Sequence, residues 1–181
     1  SRIALEMHAG EGLQVLVGGL GLGYTAWRVV ESPRVARVEV VEYSPAVIQW
    51  MNDGLVPLSP LLAAEPRIEL VEGDVFQKLA QPASAPKFDL ILIDVDHAPD
   101  DHLGTSCNDR FYTADGLRLT RQHLAPGGVL GVVDHRLPED ADDEMERSSG
   151  YVKRSTVMAL AEEAGFEFVR EAEINANPQD T

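Results

Sequence analysis

A doubly wound, Rossmann-like α/β domain on a mostly parallel sheet is the fold this sequence predicts, and three observations carry the prediction. Short apolar, β-branched runs alternate with helical patterns along 181 residues. A glycine cluster, Gly18-Gly19-Leu20-Gly21-Leu22-Gly23, directly follows the first run. An acid stands at or just after the end of each of the next four runs: Glu42, Asp74, Asp94 with Asp96, and Asp134.

The strand runs, in order, are Leu13 to Val17, Val38 to Glu42, Ile68 to Val71, Phe88 to Asp94, Gly128 to Asp134 and Phe166 to Ile174. Between them helices are predicted over Tyr24 to Glu31, Pro45 to Asn52, Val75 to Leu79, Thr113 to Leu124 and Tyr151 to Ala164. The Thr113 helix sets Leu117, Leu124 and the Ala114 methyl against Arg118, Arg121 and Gln122, as an amphipathic cover does. Trp27 and Trp50 fall in helices flanking the first two strands and are assigned to the core. Right-handed crossovers place successive helices on both sheet faces. Val56 to Pro66, with three prolines, and the charged run Pro138 to Ser149 read as loops. There is no internal repeat, and residues 1–181 read as a single domain.

Thirty acids against fifteen basic residues give a net charge of -15, which repels phosphate backbones and anionic lipids. Nucleic acid and membrane are therefore not expected partners. Cys107 is the only cysteine, so no internal disulfide forms, and a cytoplasmic address is the default. No apolar run reaches transmembrane length. Ser1 is not an initiator methionine, so a removed leader or N-terminal domain stays open. His8, His102 and His123 show no metal-ligand spacing.

In an open α/β sheet ligands bind beyond the carboxyl ends of the strands, where the strand order reverses. The glycines allow a tight turn and close backbone approach, and Glu42 suits a ribose. Gly21, Gly23 and Ala26 also satisfy a loose dinucleotide fingerprint, with Glu42 following Gly21 by 21 residues, so a nicotinamide cofactor competes. Charge separates the two. An acidic rim opposes an anionic pyrophosphate and suits S-adenosylmethionine, which carries a sulfonium, an ammonium and one carboxylate. The helix after the glycines offers amides to that carboxylate.

Five segments, Val15 to Gly23, Val40 to Glu42, Glu72-Gly73-Asp74, Phe88 to Asp94 and Leu124 to Leu130, together resemble the ordered motif set of class I S-adenosylmethionine-dependent methyltransferases. From Leu13 to Asp134 the detail is similar to the spermidine-synthase-like branch, with Phe111-Tyr112 as a further match. That branch includes aminopropyltransferases using decarboxylated S-adenosylmethionine. The resemblance implies that Gly18, Gly19, Gly21 and Gly23 line the methionine part and that Glu42, with Tyr43 beside it, holds the ribose. It also implies that Asp74 and Val75 meet the adenine and that Asp94 faces the reacting end. A helix cap is the competing role for Asp74 and Asp94. The resemblance further implies a last, antiparallel strand, for which no candidate precedes Thr181.

An aminopropyltransferase carries a second acid after the fourth strand, and here His97 falls near that place, with Asp96 one residue earlier. The C-terminal segments Ser148 to Lys153, Ala161 to Phe166 and Ile174 to Pro178 resemble a group of bacterial predicted methyltransferases. Methyl transfer to a small-molecule acceptor is the first expectation. Aminopropyl transfer and a non-catalytic nucleoside-binding or scaffold domain are the alternatives. Either transfer is an in-line displacement needing alignment and, for a protonated acceptor, a base. Asp94, Asp96 and His97 are the catalytic candidates. Asp94 with Asp134 and His135 resembles a divalent-metal placement in catechol-type O-methyltransferases, yet magnesium prefers oxygen ligands, and no metal is assigned. A homodimer is one assembly the sequence allows.

Overall fold

The computed structural model describes residues 1–85, 87–95, 111–148 and 151–172. Five parallel strands, β1 (Leu13–Gly18), β2 (Val35–Glu42), β3 (Ile68–Glu72), β4 (Phe88–Ile93) and β5 (Leu124–Val132), lie in the order β3-β2-β1-β4-β5. The order reverses between β1 and β4. Gly18 pairs with Val41 on one side and Ile93 on the other, so the strand ends share one rim.

The inner strands β1, β2 and β4 are largely apolar on both sides because helices cover both sheet faces. Val15, Val17, Val38, Val40, Leu90 and Leu92 meet α2 (Tyr24–Val30), α3 (Pro45–Asn52) and α4 (Ser59–Ala64) through Ala26, Val29, Met51 and Leu62. Leu16, Val41, Ile91 and Ile93 meet α5 (Val75–Leu79), α6 (Ala114–His123) and α8 (Arg154–Glu163) through Val75, Phe76, Leu117 and Leu160. Each such fully buried side chain contributes about 1.5–3 kcal/mol relative to exposure. One charge is buried among them: Glu39 on β2 is met by Lys78 Nζ at 2.6 Å and by Arg37 at 3.4 Å, the pairing such a carboxylate requires.

Several elements differ from expectation. Before β1 the chain forms α1 (Arg2–Met7), which packs on β5 and α2. The proline-rich loop contains α4, because Pro60 occupies the first helical turn, where no N–H is needed, and Leu62 reaches the core. The acidic loop contains α7 (Asp143–Ser148). Its first-turn acids suit a helix N-terminus, the Glu144 N–H donates to Asp142, and Lys153 pairs with Asp143. That segment also joins β6 (Arg136–Leu137) to β7 (Val152–Lys153) in a two-stranded parallel sheet.

β5 begins at Leu124 rather than Gly128. Leu124 pairs with Phe88 and Val129 with Leu90, so Ala125 to Gly128 bulge out, with Gly127 at φ 77°. The sixth strand does not form over residues 166–172; Arg136 and Arg154 pair with Glu171 there instead, and Phe168 and Val169 are exposed. Glu173 and Ile174, the last two residues of that predicted run, lie outside the described residues. Trp50 is 52 % exposed, against its assignment to the core, because α3 packs inward through Val47 and Met51. Trp27 does pack against the core.

Candidate active site

The glycine loop is stitched between two strands. The Gly19 N–H donates to the Val41 carbonyl and the Asp94 N–H to the Gly18 carbonyl, each at 2.9 Å. Gly19 has φ 95°, and a Cβ there would lie 2.2 Å from the Asp94 carbonyl oxygen, so no side chain fits. Gly18 backs onto the Val75 methyls and Gly23 onto Leu62. Around Gly21 a Cβ would meet open space. Val75, the first residue of α5, is itself buried.

Glu42, at the end of β2, folds back over this loop. Its Oε2 accepts the Leu20 N–H and its Oε1 the Ser44 N–H, both at 2.8 Å. A carboxylate has about four acceptor positions, so room for ribose hydroxyls remains. Asp74 caps α5: its Oδ1 accepts the Phe76 N–H at 2.8 Å and the Gln77 N–H at 3.2 Å. The capping role weighed for Asp74 is thus real, and it leaves Oδ2 without a partner among the described residues. Beside Asp74 lies a cavity of about 370 Å³ with Val41 and Val71 as apolar walls and Gln77 as a further polar group.

Asp94, just beyond β4, accepts a hydrogen bond from the Thr25 hydroxyl of α2. Burial pushes the Ser1 amino group below its usual value, and the nearby Asp94 carboxylate opposes that shift. Beyond β5, Asp134 accepts from the Tyr112 hydroxyl at 2.5 Å and from the His135 N–H at 2.8 Å. Burial, reinforced by the Asp134 charge, pushes the Tyr112 phenol upward and keeps it a donor. His135 stacks edge-on against Tyr151. Among the described residues no three His, Cys, Asp or Glu side chains converge as metal ligands.

The electrostatic character follows directly. Among the described residues, no lysine or arginine pairs with Glu42, Asp74 or Asp94. Three carboxylates thus stand at the strand ends with no lysine or arginine ion pair, the Ser1 amino group lies near Asp94, and Lys78, which pairs with Glu39, lines the cavity beside Asp74. Asp96 and His97, the other two catalytic candidates, lie outside the described residues. Thr25 was not among the expected site residues. A lone hydroxyl two residues beyond the last glycine was its only signal in the sequence.

No protein-family model matches the chain. Over 130 residues it is 32 % identical to polyamine aminopropyltransferase 2 of Streptomyces coelicolor; the match spans 71 % of this chain and 22 % of that protein. Over 122 residues it is 29 % identical to putrescine N-methyltransferase 4 of Nicotiana tabacum, covering 65 % of this chain and 28 % of that protein. The chain thus spans well under half the length of these relatives. Among solved structures, spermidine synthase from Thermotoga maritima superposes with a TM-score of 0.62 at 18 % identity, over 88 % of this chain and 47 % of that one. A SAM-dependent methyltransferase from Aquifex aeolicus gives 0.61 at 14 % identity, over 93 % and 80 %. Among the described residues no helix is long and apolar enough to cross a membrane.

Proposed function

We propose that this chain, spermidine-synthase-like in sequence and class I methyltransferase in fold, is the nucleoside-binding domain of a transferase that moves an aminopropyl group from decarboxylated S-adenosylmethionine to an amine. The observation that carries this reading is the set of carboxylates Glu42, Asp74 and Asp94 around the glycine loop, none of them ion-paired with a lysine or arginine among the described residues. A pyrophosphate meets repulsion there, and a donor bearing a sulfonium and an ammonium with no carboxylate meets attraction. This reverses the order of the sequence reading, in which methyl transfer came first.

The residues divide the work by position. Gly19, Gly21 and Gly23 let the donor tail lie against backbone, Glu42 takes the ribose hydroxyls, and Tyr43 flanks the ribose. Asp74 Oδ2 accepts from the adenine amino group, beside the Val41 and Val71 walls. Asp94 faces the sulfonium end and the incoming amine. The amine nitrogen forms a bond to the methylene carbon beside sulfur, and the carbon–sulfur bond breaks with its electron pair staying on sulfur. The products are methylthioadenosine and a lengthened amine, and the proton released from nitrogen passes to Asp94 as the proposed base.

A second reading is methyl transfer from S-adenosylmethionine to an amine, favoured by the likeness to putrescine N-methyltransferases over the same stretch. Mass spectrometry after incubation with putrescine and each donor separates them. Methylthioadenosine with spermidine is the expected pair. S-adenosylhomocysteine with N-methylputrescine would establish the second reading, and no product from either donor would contradict both.

A further inference from the structure

The Thr25–Asp94 hydrogen bond joins the start of α2 to the end of the fourth strand, and among the described residues no main-chain bond links Thr25 to Asp94. Thr25 belongs to α2, which covers one face of the sheet, and Asp94 ends β4 on the far side of the glycine loop. The Asp94 main chain is already fixed by its bond to Gly18 and its contact with Gly19. Its side chain is exposed, and among the described residues the Thr25 hydroxyl is the group that hydrogen-bonds it, favouring one carboxylate rotamer over those open to solvent, with the Ser1 amino group acting on it only through charge. A charge-assisted bond of this kind is stronger than a neutral one and holds the negative charge in place before a ligand arrives.

We propose that Thr25 is a specificity-determining positioning residue, which fixes the Asp94 carboxylate beside the glycine loop so that the site prefers a donor tail ending in an ammonium without a carboxylate. This rests on the functional reading above, because it assigns a role within the same nucleoside site. The hydroxyl touches no part of the donor and acts only through Asp94. A fixed negative charge there attracts the aminopropyl ammonium of decarboxylated S-adenosylmethionine and repels the carboxylate of the parent compound. Methylthioadenosine, which has neither group, is indifferent to it.

Calorimetric titration with these three nucleosides tests the assignment on the wild-type chain, Thr25→Val, Thr25→Ser and Asp94→Asn. The wild type is expected to bind the decarboxylated donor more tightly than methylthioadenosine. Thr25→Val is expected to weaken the decarboxylated donor about tenfold and leave methylthioadenosine within about twofold, the ratio expected from a lost charge-assisted contact. Thr25→Ser restores the wild-type preference. In the Asp94→Asn background, Thr25→Val has no further effect. An unchanged donor preference in Thr25→Val, or an equal loss for all three nucleosides, would overturn the proposal while leaving the nucleoside site standing. Failure of all three to bind the wild type would overturn both.

Discussion

Glu42 shows how one side chain serves the fold and the proposed site together. Its two oxygens hold the Leu20 and Ser44 N–H groups, so the carboxylate shapes the glycine loop before any ligand is present. Glu42→Ala is expected to lower nucleoside affinity tenfold or more, since hydrogen bonds to a charged acceptor are worth roughly 1.5–3 kcal/mol. A 2′-deoxy analogue of methylthioadenosine separates lost contact from loop damage. The wild type discriminates against it, and the alanine variant binds both nucleosides alike. Equal discrimination by both proteins would remove Glu42 from the ribose contact. At this scale the sequence was informative wherever the backbone dictates the residue: the Gly19 position, squeezed against the Asp94 carbonyl, tolerates only glycine. It was silent on Thr25, whose partner lies 69 residues away. Asp74 is the helix cap weighed for it, and because a capping carboxylate uses one oxygen, the cap is compatible with the adenine contact proposed for the other.

Among the elements, β1, β2 and β4 were legible because strands buried on both faces must be largely apolar, and the edge strand β3 because its apolar residues Ile68, Leu70 and Val71 stand beside exposed Glu69 and Glu72. The start of β5 was not, since the Ala125 to Gly128 bulge reads as a turn and only the pairing of Leu124 with Phe88 reveals the strand before it. α7 was hidden for another reason: its sequence is polar but for the exposed Met145, and it is held by Lys153 and the Asp142 cap rather than by a buried stripe. The end of the sheet away from the site depends on a cluster just as invisible in sequence. Arg67, preceding β3, donates to the carbonyls of Val30, Ser32 and Val35 and to Glu65, tying the α2–β2 turn to the start of β3. Hydrogen bonds from Arg67 hold the Glu65 carboxyl down to about 2, from an ordinary value of 4.5. A folded-state value below the unfolded one stabilises the fold above about pH 4.5, and that stabilisation is lost as pH falls toward 2. Urea unfolding of the wild type and Glu65→Gln is expected to show a stability gap at pH 6 that narrows at pH 3. A gap of equal size at both pH values would contradict this role.

For the whole molecule, the net charge of -15 and the strand-order reversal together say more than either alone. In open α/β sheets ligands bind at such a reversal, here between β1 and β4, and carboxylates that no lysine or arginine pairs among the described residues favour a cationic one. The glycine loop by itself suits a dinucleotide nearly as well. Glu42, Asp74 and Asp94, brought to one edge by the parallel register, distinguish the two. The most direct measurement is therefore calorimetric titration of the wild-type chain with decarboxylated S-adenosylmethionine and with NAD under identical conditions. Saturable binding of the sulfonium nucleoside, weakened by added salt, and no binding of NAD are expected. Tighter binding of NAD would contradict this expectation.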